Sequence, residues 1–166
     1  MLTAEEIDKK VTLLAQKISK DFQGRRLILI GVLKGAFVFL SDLMRRMTIP
    51  VEVDFVQLSS YGDTDTSSGN IILKRDVTSD LQGKDVLVVE DIIDTGLTMT
   101  KLTRHLKSFN PNSIRVCSLI DKRERRKNKC HVDYACHEVE SGFLVGYGLD
   151  YSEKYRNLPA IHHLKL

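Results

Sequence analysis

Residues Val86 to Met99 read VLVVEDIIDTGLTM, and their reading decides the fold. The apolar run Val86–Val89 follows the turn-like Leu81-Gln82-Gly83-Lys84. It is mostly β-branched and too short for a buried helix, which is the pattern of a buried parallel strand. From Thr98 the pattern changes: Leu102, Leu106 and Phe109 recur at helical spacing, so a helix begins where the loop ends. Glu90, Asp91 and Asp94 therefore stand at the carboxyl end of a strand, where open α/β sheets bind ligands. The backbone N–H groups of Thr95, Gly96, Leu97 and Thr98 are expected to lack partners and to lie at the positive end of the helix dipole, where an anion such as a phosphate satisfies them.

Three acids beside a phosphate cradle repel what the cradle attracts, unless something positive or hydroxylated lies between them. A ribose 5-phosphate with Mg²⁺ meets both demands, hydroxyls and metal facing the acids and phosphate facing the amides. A bare D-x-x-D-T-G could equally be an acidic loop that binds nothing. A P-loop and a dinucleotide fingerprint are both absent from the sequence.

The chain has 166 residues, 42% of them apolar and 28% charged, enough for one domain spanning 1–166 with a single substantial core. Its 25 basic and 22 acidic side chains leave a net charge of +3, short of the basic balance of a dedicated nucleic-acid binder. Three cysteines, an odd number, argue against a disulfide framework and for a reducing compartment. Met1 to Lys10 lacks an apolar leader segment and no stretch approaches a membrane span, so the cytoplasm is the expected location.

Thr3-Ala4-Glu5-Glu6 is a capping-box pattern, and Ile7, Val11, Leu14, Ile18 and Phe22 follow at helical spacing toward an end near Gln23-Gly24. Leu27–Val32 is a second buried-strand candidate; after Leu33-Lys34-Gly35, Phe37, Leu40, Leu43 and Met44 mark a helix that stops before Pro50. Val51–Leu58 reads as a strand entering a core and Ile71–Leu73 as its return. Between them Ser59 to Gly69 carries only one bulky side chain, Tyr61, the composition of a lid or binding loop. Ser113–Ile120 and Val132–Val139 read as further strands, and Ile161–Leu164 as a short edge strand. Six of the eight residues from Lys122 to Lys129 are basic, without interleaved aromatics, which favours a solvated loop over an RNA-stacking surface. Cys130-His131 and Cys136-His137 fit no common zinc spacing, and strand alternation would point each pair to opposite faces.

The stretch Glu90-Asp91-Ile92-Ile93-Asp94-Thr95-Gly96 resembles the phosphoribosyl pyrophosphate signature of the type I phosphoribosyltransferases, in the form carried by those acting on hypoxanthine and guanine. The resemblance covers about residues 25 to 160. It implies a mainly parallel twisted sheet flanked by helices, with a small hood built from the chain ends. Leu33-Lys34-Gly35 matches the family's pyrophosphate loop, whose Leu-Lys peptide tends to be cis, and Ser60-Tyr61 matches the loop that closes over the site and keeps water out. Lys122 matches the lysine that donates to the 6-oxo group of the purine, a role suited to a side chain with donors and no acceptor. Phe143 matches the aromatic that stacks on the base, and Leu144 stands where the family often has Val. Asp150 matches a second Mg²⁺ site and Arg156 a pyrophosphate contact, while Arg126 aligns with an arginine on the pyrophosphate side.

The roles that follow from the resemblance are these. Asp94 takes the purine proton, and Glu90 and Asp91 hold the ribose hydroxyls and Mg²⁺. Thr95, Gly96, Leu97 and Thr98 hold the 5′-phosphate; Lys34, Gly35, Ser60, Tyr61 and Arg156 surround pyrophosphate. Lys122, Phe143, Leu144 and Asp150 lie around the base, and the metal set is Glu90, Asp91 and Asp150. The resemblance also implies a homo-dimer or homo-tetramer with small-molecule substrates, no membrane and no nucleic acid. The alternatives are a phosphoribosyltransferase for xanthine or another base, and an RNA-binding regulator on the same fold.

Overall fold

The structure, a computed structural model, describes residues 1–60, 71–124, 126 and 130–165. The first helix, α1 (Ala4–Asp21), starts as the capping box requires: the Glu6 N–H donates to Thr3 Oγ1 at 3.2 Å and the Thr3 N–H to Glu6 Oε2 at 2.9 Å. It buries Ile7, Val11, Leu14 and Ile18 along one face. Strand β1 (Leu27–Leu33), helix α2 (Phe37–Arg45), strand β2 (Val51–Ser60), strand β3 (Ile71–Arg75) and strand β4 (Asp85–Ile93) follow. Then come helix α3 (Leu97–Lys107), β5 (Ser113–Lys122), β6 (Tyr134–Val139), β7 (Phe143–Val145) and β8 (His162–Leu164).

Six strands form one sheet in the order β3-β2-β1-β4-β5-β6. All its pairings are parallel except β2 with β3. Strand alternation splits the apolar residues between the two faces. Leu27, Leu29, Leu87 and Val89 pack with α1 and α2, whereas Ile28, Ile30, Val86 and Val88 pack with Met99, Leu102 and Leu106 of α3. Burial on both faces is why these strands read as continuous apolar runs rather than alternating ones.

Between β1 and β4 the strand order reverses, since β1 is flanked by β2 on one side and β4 on the other. The carboxyl ends of those two strands meet at the switch point, which brings Leu33-Lys34-Gly35 beside Glu90-Asp91. Strands β7 and β8 form a separate antiparallel pair. Leu2 bridges to Ile161, so both ends of the chain join in the small hood.

Several boundaries differ from the sequence reading. Strand β4 runs on through Ile93, so Glu90 and Asp91 lie within the strand and Asp94 just past it, and β6 starts at Tyr134 rather than Val132. A loop is expected from Ser59; 61–70 lie outside the described residues, but β2 continues through Ser60 and pairs Ser59 with Ile72 and Ser60 with Ile71. Cross-strand pairing overrides the polar composition there. Helix α3 begins at Leu97, one residue before the expected Thr98, with Gly96 as its N-cap at φ +78°. That left-handed backbone is open to glycine at little cost.

Candidate active site

Two adjoining cavities lie over the switch point. The first, about 190 Å³, is lined by Glu90 to Gly96 together with Thr98 and Met99. The second, about 300 Å³, takes its walls from Lys34, Gly35, Ser59, Asp150 and Arg156, and shares Glu90, Asp91 and Thr98 with the first. A larger cavity of about 470 Å³ sits between α1, α2 and the 156–159 turn, where Ile7, Val38 and Leu158 make it mainly apolar. It shares Arg156 with the site but none of the three acids.

Glu90 and Asp91 are the electrostatic centre. Burial pushes the Glu90 carboxyl well above the usual glutamate range, and the neighbouring Asp91 charge pushes it the same way. Burial also raises Asp91, against hydrogen bonds from its surroundings and the Arg156 charge. Two desolvated acids side by side favour protons, hydroxyl donors or a hard cation, and their oxygen donors suit Mg²⁺. Asp150 lines the same cavity but is ion-paired to Arg156 Nη2 at 2.9 Å. Among the described residues no three His, Cys, Asp or Glu side chains gather into a metal cage.

Gly35 is the point where the β1 loop touches the acids. A Cβ placed on it would lie 1.7 Å from Asp91 Oδ2, so the loop approaches this closely only as glycine. The preceding Leu33–Lys34 peptide is cis, as the resemblance implies. In the helix-start cradle, the Leu97 N–H has a partner after all, a long 3.4 Å bond to Thr95 Oγ1. A Thr hydroxyl two residues back can always reach such an amide, which the sequence reading overlooked. Thr95 and Thr98 are exposed at the cavity rim.

On the other side of the loop, Lys122 is buried, its Nζ 3.9 Å from Asp94 Oδ2 and 3.8 Å from Glu124 Oε2. Phe143 is 42% exposed and meets the Tyr151 ring edge-on, centroids 5.5 Å apart. Leu144 is buried behind it. Phe143 and Leu144 line neither cavity of the switch point. The Ser60 side chain and Tyr61 lie outside the described residues.

Two features escaped the sequence reading. Glu153 stands between the two cations assigned to pyrophosphate: it accepts from Lys34 Nζ at 3.0 Å and from Arg156 Nη2 at 3.2 Å. No motif marks it, because Lys34 lies 119 residues away in sequence. Arg126, aligned with a pyrophosphate-side arginine, instead turns inward onto backbone carbonyls.

A switch point carrying paired buried acids, a helix-start cradle and a flanking lysine is the architecture of the type I phosphoribosyltransferase fold. Residues 2–152 match the family description "Phosphoribosyl transferase domain", and the chain belongs to that family. It is 41% identical over 167 residues to a hypoxanthine-guanine phosphoribosyltransferase of Mycobacterium tuberculosis, covering 97% of this chain and 83% of the relative. Among solved structures, a hypoxanthine-guanine phosphoribosyltransferase from Bacillus anthracis matches with a TM-score of 0.95 at 42% identity, over 99% of this chain and 97% of that one. A hypoxanthine phosphoribosyltransferase from Staphylococcus aureus matches with a TM-score of 0.93 at 41% identity, over 99% and 91%.

Proposed function

We propose that this chain, acting as one domain, transfers the 5-phosphoribosyl group of phosphoribosyl pyrophosphate to hypoxanthine and guanine. The products are the nucleoside 5′-monophosphate and pyrophosphate, a purine salvage reaction. The observation that carries the reading is the buried Lys122 ammonium 3.9 Å from the Asp94 carboxylate, beside two further acids at one strand end. Lysine offers donors and no acceptor, so it favours a 6-oxopurine over adenine, whose 6-amino group gives it nothing to donate to.

In this reading Asp94 accepts the proton leaving the purine imidazole nitrogen as that nitrogen attacks the ribose. Glu90 and Asp91 accept from the ribose hydroxyls and stabilise the positive charge that develops on the ring. Thr95, Gly96, Leu97 and Thr98 hold the 5′-phosphate at the start of α3. Lys34, Gly35 and Arg156 face the pyrophosphate, with Ser60 and Tyr61 as further contacts. Phe143 stacks on the base, Leu144 presents backbone to its edge, and Asp150 closes that side. Mg²⁺, held by Glu90, Asp91 and Asp150, would neutralise the leaving pyrophosphate.

The three cysteines are free thiols, in keeping with a cytoplasmic setting. Among the described residues no helix is long and apolar enough to cross a membrane. The exposed Phe37 and Met44 on α2 offer apolar surface for the homo-dimer or homo-tetramer we assign to the chain.

The test is pyrophosphate release from phosphoribosyl pyrophosphate and Mg²⁺ with hypoxanthine, guanine, xanthine, adenine or uracil supplied singly. Release with the first two alone is the expected result. Release with xanthine or uracil would overturn the base pocket while leaving the acids and cradle in place. Silence with all five would favour the RNA-binding alternative.

A further inference from the structure

We infer that Arg126 is a positioning residue that fixes the base-reading lysine and the proton-accepting aspartate relative to each other. The inference rests on the roles proposed above for Lys122 and Asp94. Strands β4 and β5 stay in parallel register up to the pair Ile93↔Asp121. Asp94 follows the last residue of β4. Lys122 is the last residue of β5, still paired with Val139 of β6 but past the end of the β4–β5 ladder, where carbonyls facing that seam have no strand donor. The Arg126 guanidinium supplies those donors. Its Nε donates to Asp94 O at 3.1 Å, and its Nη2 to Ile93 O at 3.0 Å and Lys122 O at 3.2 Å. Its Nη1 donates to Cys130 O at 3.3 Å.

The fork is itself anchored. Nη2 is ion-paired with Asp121 Oδ1, and the Arg126 and Asp121 side chains are 16% and 3% exposed. Gly96, the N-cap of α3, packs against the same group: a Cβ there would lie 3.3 Å from Arg126 Cδ and 2.6 Å from Cys130 Cβ. One planar side chain with five fixed donors thus ties together the end of the acidic strand, the end of the lysine strand and the start of the phosphate cradle. A lysine in its place has one head group and cannot span these carbonyls. The direction of the guanidinium, onto backbone rather than into either switch-point cavity, separates this role from a pyrophosphate contact.

The experiment compares wild type with Arg126→Lys and Asp121→Asn, first establishing wild-type turnover with hypoxanthine. The readouts are KM for hypoxanthine, KM for phosphoribosyl pyrophosphate, Kd for pyrophosphate, and the thermal midpoint. The proposal predicts that Arg126→Lys raises KM for hypoxanthine by about tenfold or more and lowers kcat, because displacement of about 1 Å at a reacting group is this costly. Pyrophosphate affinity should stay within about twofold. Asp121→Asn, which keeps shape but loosens the fork, should move the same two parameters less. A rise in pyrophosphate Kd with hypoxanthine KM unchanged overturns the proposal, as does a uniform loss of active sites with every KM unaltered. Should Arg126→Lys not fold, Asp121→Asn alone decides on the same criteria. An inactive wild type would instead refute the proposed function.

Discussion

The two walls of the site are built differently. On the purine side, Lys122 and Asp94 sit on strand ends whose backbones are clamped by Arg126, and the charged groups there are largely buried. On the side assigned to pyrophosphate, Lys34 and Glu153 pair at the surface, 56% and 64% exposed, and only Arg156, 19% exposed, is anchored further in, by Asp150 and the Gly148 carbonyl. Exposed pairs of this kind contribute little to stability, whereas charge-assisted hydrogen bonds to buried carbonyls fix geometry. The wall that the proposed function assigns to the purine is therefore held by the backbone. On the other wall Glu153 bridges Lys34 and Arg156, the two cations that the proposed function gives to pyrophosphate. Lys34 and Arg156 hold the Glu153 carboxyl below the ordinary glutamate range.

The contrast predicts a graded series of effects. The largest belongs to the close approach of the β1 loop to Asp91. Gly35→Ala drives a methyl group into Asp91, and kcat/KM for phosphoribosyl pyrophosphate should fall about a hundredfold. Activity near wild type would mean that the β1 loop is free to retreat.

An intermediate effect belongs to the acids between the walls. The folded-state pKa of Glu90 is raised by burial and by Asp91. The stability linked to its proton is complete below the unfolded value of about 4.5 and is lost as pH climbs through the folded-state value. Glu90→Gln removes that loss. The variant should gain on wild type as pH rises from about 5 to 8, reaching a thermal midpoint a few degrees higher, while turnover falls by about tenfold. A gap that narrows with rising pH would contradict this electrostatic account.

The smallest effect belongs to Glu153. Glu153→Gln leaves Lys34 and Arg156 without a resident anion, so pyrophosphate should bind about twofold to fivefold more tightly, as read by calorimetry. Weaker binding would show instead that Glu153 orients the two cations, and would bring the two walls closer in kind.

Much of this was legible in the sequence because it is local or periodic. The apolar runs of β1 and β4, the capping box of α1 and the stripe of α3 each follow from spacing over a dozen residues, and they place the acids at a strand end. Where the carboxyl end of β1 would lie was not legible from either strand alone. It depends on β1 being flanked by both β2 and β4, a fact of sheet order. Arg126 was visible as a residue but not in its direction, which is set by the register of β4 on β5 and by Asp121 waiting at its end. Glu153 carried no signal for its pairing with Lys34, 119 residues away, although Arg156 lies only three residues along the chain. The end of β2 was misjudged for the opposite reason: a polar local sequence was read as a loop although a partner strand was available to pair with it.

Turnover of Asp94→Asn with hypoxanthine and saturating phosphoribosyl pyrophosphate tests the account most directly. Asparagine keeps the shape beside Lys122 and removes the proton acceptor. The account predicts a fall in kcat of about 10² or more at an unchanged thermal midpoint; wild-type turnover in that variant would contradict it.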